Sequence, residues 1–227
     1  MRSISWVLAA IVAGGLASLP APAQQPPSAL NPPSRVVVVL DAAHGGDDSG
    51  ARLSTGQPEK ALTLALSVKL RSLLVARGIQ VVTTRESDAS LGSNQRAEVA
   101  NHAAAQACLI LHASESGSGV HLFASSLAPA PPARFAPWKT AQAASVTRSL
   151  ALAGSLNSAL QRAGMQVTLG RTALPAMDSM SCPAVALEIA PERDGQKIVN
   201  GLDNAGYQAR FTRALADALL EWRSEAH

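Results

Sequence analysis

The run Val36-Val37-Val38-Val39-Leu40 constrains this chain more than any other feature. Successive side chains of a strand point to opposite faces, so a strand with one wet face alternates apolar and polar residues. Five apolar residues in a row leave no wet face, and four of them are β-branched, which favours strand over helix. Such a run is the mark of a strand buried on both sides, as in parallel sheets covered by helices on both faces. Asp41 closes the run, and a loop rich in Gly, Asp and Ser follows to Pro58.

The rest of the chain repeats the theme. Leu62, Leu66, Leu70, Leu73 and Leu74 recur at helical spacing over residues 59–76, and Gly78 stands where a helix stops. Residues 79–84 read as a second strand, 94–105 as a helix, and 107–112 as a third central strand. A short strand over 120–124 precedes a proline-rich loop at 128–137. A long helix over 140–162, a strand over 165–169, a clear strand over 183–189 and a last helix over 204–222 complete the pattern. Alternating strands and helices predict an α/β fold: a three-layer α/β/α sandwich with a mostly parallel central sheet of about six strands. There is no internal repeat and no sign of a second domain.

The first residues read differently. Arg2, an apolar run from Ile4 to Leu19 and the small-x-small triplet Ala21-Pro22-Ala23 form a cleavable signal peptide over 1–23. Pro26, Pro27, Pro32 and Pro33 make 24–34 an extended tether. The domain is expected over 35–227, in a periplasmic or secreted protein with no membrane span after cleavage. Of 227 residues, 204 remain once those 23 are removed, enough for one domain with a real core. Loss of Arg2 leaves 18 basic against 16 acidic side chains, without a basic cluster, and only 3% of residues are aromatic. Nucleic acid is therefore not an expected partner, nor is sugar binding mainly by aromatic stacking. No Walker or dinucleotide-binding pattern accompanies Gly45, Gly46 and Gly50, which excludes a nucleotide site. Nothing suggests more than a monomer. Cys108 and Cys182 fit either of two states after export: a disulfide, or two separately buried thiols.

Catalytic groups of such sheets gather at the carboxyl ends of the strands. Three ends carry informative residues: Asp41-Ala42-Ala43-His44 on the first strand, His112-Ala113-Ser114 on the third and Leu187-Glu188 on the last. Glu59 opens the first helix. Two imidazoles and two carboxylates can converge on one edge of the sheet, the type of set a catalytic Zn²⁺ needs. By spacing alone, a histidine at a strand end is more often a hydrogen-bonded structural residue than a ligand.

The order of motifs goes further. The segment Asp41-Ala42-Ala43-His44-Gly45-Gly46-Asp47-Asp48-Ser49-Gly50-Ala51 resembles the D-A-G-H-G-G-x-D-x-G-A opening of the zinc-dependent N-acetylmuramoyl-L-alanine amidases. So do Glu59-Lys60, Thr84-Arg85-Glu86-Ser87-Asp88, Leu91, Arg96, Ala100-Asn101, His112-Ala113 and Pro183-Ala184-Val185-Ala186-Leu187-Glu188. The resemblance runs from about Val36 to the C-terminus. It implies one Zn²⁺ per chain held by His44, Glu59 and His112, with Glu188 as general base and then proton donor. It implies hydrolysis of the amide between N-acetylmuramic acid and L-alanine in peptidoglycan, for cell-wall remodelling, cell separation or autolysis. The alternative is a catalytically silent peptidoglycan-binding protein that keeps the fold. An activator protein is a further partner the resemblance admits, and the insert 125–140 is the candidate segment for covering the zinc.

Three departures stand out: Ala43 for the usual Gly, Ser114 for Asn, and Ile189-Ala190-Pro191-Glu192-Arg193-Asp194 for G-F-x-S-N. If position 43 requires a positive φ, Ala there is strained by about 1 kcal/mol or more. Asp41 and Asp48 read as groups that support the ligands, and Arg85 and Asp88 as braces of the loop after the second strand. His102 reads as structural and His121 as a solvated strand residue. Glu115 and Glu192 are the rival carboxylates to Glu188, and a cysteine hydrolase built on Cys108 or Cys182 is the weakest reading, because a thiol inside a buried strand is inert.

Overall fold

The valine run forms β1 (Val37–Ala42), buried along nearly its whole length. The computed structural model describes residues 36–135 and 137–225; the expected signal peptide and tether lie outside the described residues. After β1 the order is α1 (Glu59–Val75), β2 (Gln80–Thr83), α2 (Ser93–His102), β3 (Ala107–Ala113), β4 (Val120–Ser125), α3 (Val146–Arg162), β5 (Val167–Thr172), α4 (Pro175–Asp178), β6 (Ala184–Ile189), β7 (Glu192–Asp194), β8 (Lys197–Asn200) and α5 (Ala205–Glu225). Six strands form one sheet in the order β2-β1-β3-β6-β4-β5. All neighbours run parallel except β4 and β6, so the expected mostly parallel sheet is the one observed.

The two faces are covered unequally. On one face Val38, Leu40, Leu109, Leu111, Leu122, Val185 and Leu187 meet the apolar sides of α1, α3 and α5. Leu62, Leu66, Leu70 and Leu74 of α1, four residues apart, are buried there, as their spacing predicts. On the other face Val39, Cys108, Ile110, Ala184 and Ala186 meet the smaller α2 and α4 region, with Met177 and Met180. Helices on both faces give the three layers. No helix among the described residues is long and apolar enough to cross a membrane.

Cys108 and Cys182 are bonded to each other, with Cα atoms 6.2 Å apart. Cys108 sits opposite Ala184 in the β3–β6 register, so Cys182 lies two residues short of alignment. The loop ahead of Pro183 absorbs that offset, and the Pro183 carbonyl accepts from the Cys108 N–H.

The long helix expected from residue 140 is two elements. Residues 138–144 form a 3₁₀ helix with Thr140 out of helical geometry, and α3 begins at Val146. Gln142 explains the break. Its fully buried amide donates to the Met180 and Cys182 carbonyls, each at 2.9 Å, and its oxygen accepts from Ser149. That side chain serves the loop before β6, so the backbone here follows it rather than continuing α3. The short α4 and the β7–β8 hairpin lack an apolar period long enough to read. The hairpin had a usable signal in Gly195, which takes φ 57° in the two-residue loop Gly195-Gln196.

Candidate metal centre

Side-chain alternation settles which face carries the site. Cys108 and Ile110 point to the thinly covered face, so His112 on the same strand does too. Ala184 and Ala186 point the same way, and so does Glu188. His112 and Glu188 are directly opposed across β3 and β6.

Glu59 arrives from the N-terminus of α1, where a carboxylate is favoured by the helix dipole. Its Oε1 accepts from the Ala113 N–H at 3.0 Å and lies 3.0 Å from His112 Nδ1. Its Oε2 accepts from the Ala51 N–H at 2.9 Å and lies 3.1 Å from His44 Nε2. Burial alone would raise its pKa; the hydrogen bonds from His112, Ala51 and Ala113 outweigh that and hold the carboxyl below its usual range. Glu59 is thus an anion shared between two imidazoles.

His44 sits in the left-handed region, at φ 63°, just past the end of β1. The strain considered for Ala43 is not there: Ala43 keeps an ordinary negative φ, and the positive φ falls one residue later. The surroundings hold His44 in place. Arg96 donates to the His44 and Ala42 carbonyls and to Asp41, and Arg85 donates to the Ala42 and Ala43 carbonyls. Asp41 is fully buried and also accepts from Thr84. Asp88 accepts from the Gly46 N–H and from Lys60, whose ammonium also donates to the Gly46 carbonyl. Asp41, Arg85 and Asp88 are therefore loop braces, as expected. Asp48 acts on the imidazole itself. Its Oδ2 lies 2.8 Å from His44 Nδ1, while Nε2 of the same ring faces Glu59 at 3.1 Å. The same contact holds the Asp48 carboxyl below its usual pKa.

One ligand atom from each of His44, Glu59 and His112 lies within 4.8 Å of the others. Two imidazole nitrogens and one carboxylate, with a second carboxylate behind one imidazole, are the donor chemistry of a catalytic zinc site. Gly50 adds a second sign of fit. A Cβ there would lie 2.6 Å from both Glu59 Oε2 and His44 Cδ2, so the backbone passes against the donor set with no room for a side chain.

The rival carboxylates are committed elsewhere. Glu115 accepts from the Ser54 N–H and hydroxyl, and Glu192 from Arg210 and Asn200. Glu188 is half-buried and lines a cavity with His112. His121 lies opposite Glu188 on β4 and is partly exposed; its Nδ1 is bonded to Thr168 on β5. His102 is exposed at the end of α2. Sequence reasoning missed Phe123 and Leu174, which line the space around His112. Neither belongs to a motif, and Leu174 carried only the weak signal of preceding Pro175. Among the described residues of the insert 125–140, none lines either cavity at His112.

A family model described as N-acetylmuramoyl-L-alanine amidase matches residues 38–221. The amidase AmiA of Escherichia coli is 35% identical over 104 residues, a match covering 44% of this chain and 36% of AmiA. The chain thus aligns with about a third of that relative's length. Among solved structures, the catalytic domain of the amidase CwlV from Bacillus (Paenibacillus) polymyxa superposes with a TM-score of 0.64 at 25% identity, covering 83% of this chain and 98% of that domain. An amidase from Clostridium difficile 630 gives a TM-score of 0.66 at 21% identity over 85% of this chain and 99% of its own.

Proposed function

The chain belongs to the N-acetylmuramoyl-L-alanine amidase family, and from that premise we propose that it hydrolyses the amide between N-acetylmuramic acid and L-alanine in peptidoglycan, using one Zn²⁺ held by His44, Glu59 and His112. The observation that carries this reading is the meeting of those three side chains one strand away from Glu188. Bound there, Zn²⁺ supplies Lewis-acid chemistry, polarising the scissile carbonyl and lowering the pKa of the attacking water.

The chain's own residues do the rest. Glu188 accepts the proton of the attacking water and returns it to the nitrogen of the departing L-alanine, so one carboxylate serves both halves of the reaction. Its half-buried place in a cavity shared with His112 supports that role. Asp48 fixes the ring orientation of His44. Arg96 and Arg85 hold the loop that carries that histidine. A silent binding module has no use for a free carboxylate opposite the second histidine, which argues for the enzyme over the wall-binding alternative. The substrate lies outside the cytoplasmic membrane, which suits the expected periplasmic or secreted location.

The test is digestion of purified peptidoglycan with the full chain, with and without chelator, followed by mass spectrometry of the products. The expected result is stem peptides with a new L-alanine amino terminus and glycan stripped of peptide, both absent with chelator and restored by Zn²⁺. Cleavage between sugars or within the stem, or the same products in chelator, would overturn the proposal.

A further inference from the structure

Two cavities open on either side of His112, and both are bounded by Leu174, the residue before α4. One has a volume of about 180 Å³ and a polar wall that includes Asp48, Ser93 and Arg96. The other, about 230 Å³, is walled by Phe123, Leu174 and Ala186, with Glu188 at its edge. Clefts that hold drug-sized ligands run to about 300–1,000 Å³, so each of these takes a residue-sized group and no more.

Phe123 is held in place from behind. A Cβ on Gly170 of β5 would come within 3.0 Å of the ring atoms Cδ1 and Cε1. The ring therefore rests on the bare backbone of Gly170, and its position depends on there being no side chain beneath it. Leu174 is half-buried on the other side of the cavity.

We infer that Leu174 and Phe123 are specificity-determining residues: the apolar cavity receives the first residue of the stem peptide and limits the size of its side chain, while the polar cavity on the far side of Leu174 receives the sugar. This rests on the amidase reading and on Glu188 as proton donor. The leaving nitrogen belongs to that first stem residue, so the residue must lie on the Glu188 side of His112. There it meets mostly apolar walls, with room for a small or medium side chain. The hydroxyl-rich sugar then falls beside Asp48 and Ser93.

The test uses the zinc-loaded full chain and soluble disaccharide-peptides whose first stem residue is L-Ala or L-Trp, with kcat/KM measured for each. The unaltered chain should favour L-Ala by about tenfold or more, since an indole overfills a cleft of about 230 Å³ that also holds the residue's backbone. Leu174→Ala should raise the Trp/Ala ratio by about tenfold. Gly170→Ala pushes the Phe123 ring toward the cavity and should lower the ratio. Phe123→Leu gives a gentler opening, with the ratio moving in the direction of Leu174→Ala. A ratio unmoved in all three variants, each with normal zinc content and circular dichroism, would overturn the assignment. Failure of the unaltered chain to cleave either peptide while it releases stems from whole peptidoglycan would also overturn it, because the cavity would then not be what selects the residue. Failure on whole peptidoglycan as well would sink the amidase reading itself.

Discussion

One face of the central sheet is covered by three long helices and a deep layer of Leu, Val, Phe and Trp side chains; the other has two short helices and a thin layer of Ala, Met, Val, Ile and a disulfide. The thick face contributes to the candidate site only Glu59, from the N-terminal end of α1. The thin face ends in His112 and Glu188, and its helix α2 sends Arg96 to the loop holding His44. The same alternating strands serve both. Odd positions of β3 hold the molecule together, and even positions run from a cross-link at Cys108 to a proposed ligand at His112. A catalytic groove needs open space, and open space is what a thick core does not leave. The thin face keeps its order by polar and covalent ties instead: Gln142 on two carbonyls of the loop before β6 and on Ser149 of α3, Arg85 and Arg96 on successive carbonyls, and the disulfide.

Removing a ligand tests the thin face most severely. His44→Ala or His112→Ala should lose both bound zinc and all measurable turnover while the thick face keeps the fold, so thermal melting of the metal-free variants should stay close to that of the metal-free parent. Full metal content in either variant, measured by mass spectrometry of the purified protein, would dissolve the assignment. Glu188→Gln comes next. It should keep zinc and fold and lose about 10²-fold or more in kcat, as expected of a general base. Near-normal turnover would return attention to Glu115 or Glu192.

Stability separates the faces in another way. Leu66→Ala empties a fully buried site on the thick face and should cost about 2–5 kcal/mol. Removing the disulfide by Cys108→Ala with Cys182→Ala should also cost about 2–5 kcal/mol, since the bond closes a long loop across 74 residues. The two losses should add, because the cavity and the cross-link lie on opposite faces of the sheet. Chemical denaturation of the single, paired and combined variants checks this, and thiol titration of the unfolded parent should find no free thiol.

The smallest effect concerns acid. The Glu59 carboxyl is held below its ordinary value of 4.5 in the folded chain. Its hydrogen bonds therefore contribute stability above that value, and the contribution is lost as pH falls through the lower, folded pKa. In chelator, Glu59→Gln should flatten the acid side of the stability profile and leave its slope near neutrality unchanged. An unaltered acid limb would mean the carboxylate is not stabilised in the folded state.

The sequence by itself determined the parallel core. Val36 to Leu40 reads as a strand buried on both sides, and α1 follows from leucines four residues apart, because these patterns are periodic and local. His44, Glu59, His112 and Glu188 stood out at strand ends and a helix start, and the roles proposed for them came from the order of the family's motifs. Tertiary structure decided what depends on partners far along the chain. Whether Cys108 meets Cys182 turned on how the loop before Pro183 takes up a two-residue offset. Where α3 begins turned on the buried Gln142 amide. Which carboxylate stays available turned on Arg210 and Ser54 occupying Glu192 and Glu115. Leu174 and Phe123 acquired their place only when β4, β5 and α4 were brought around His112, since an apolar side chain has no local signature to tell a cavity wall from a core.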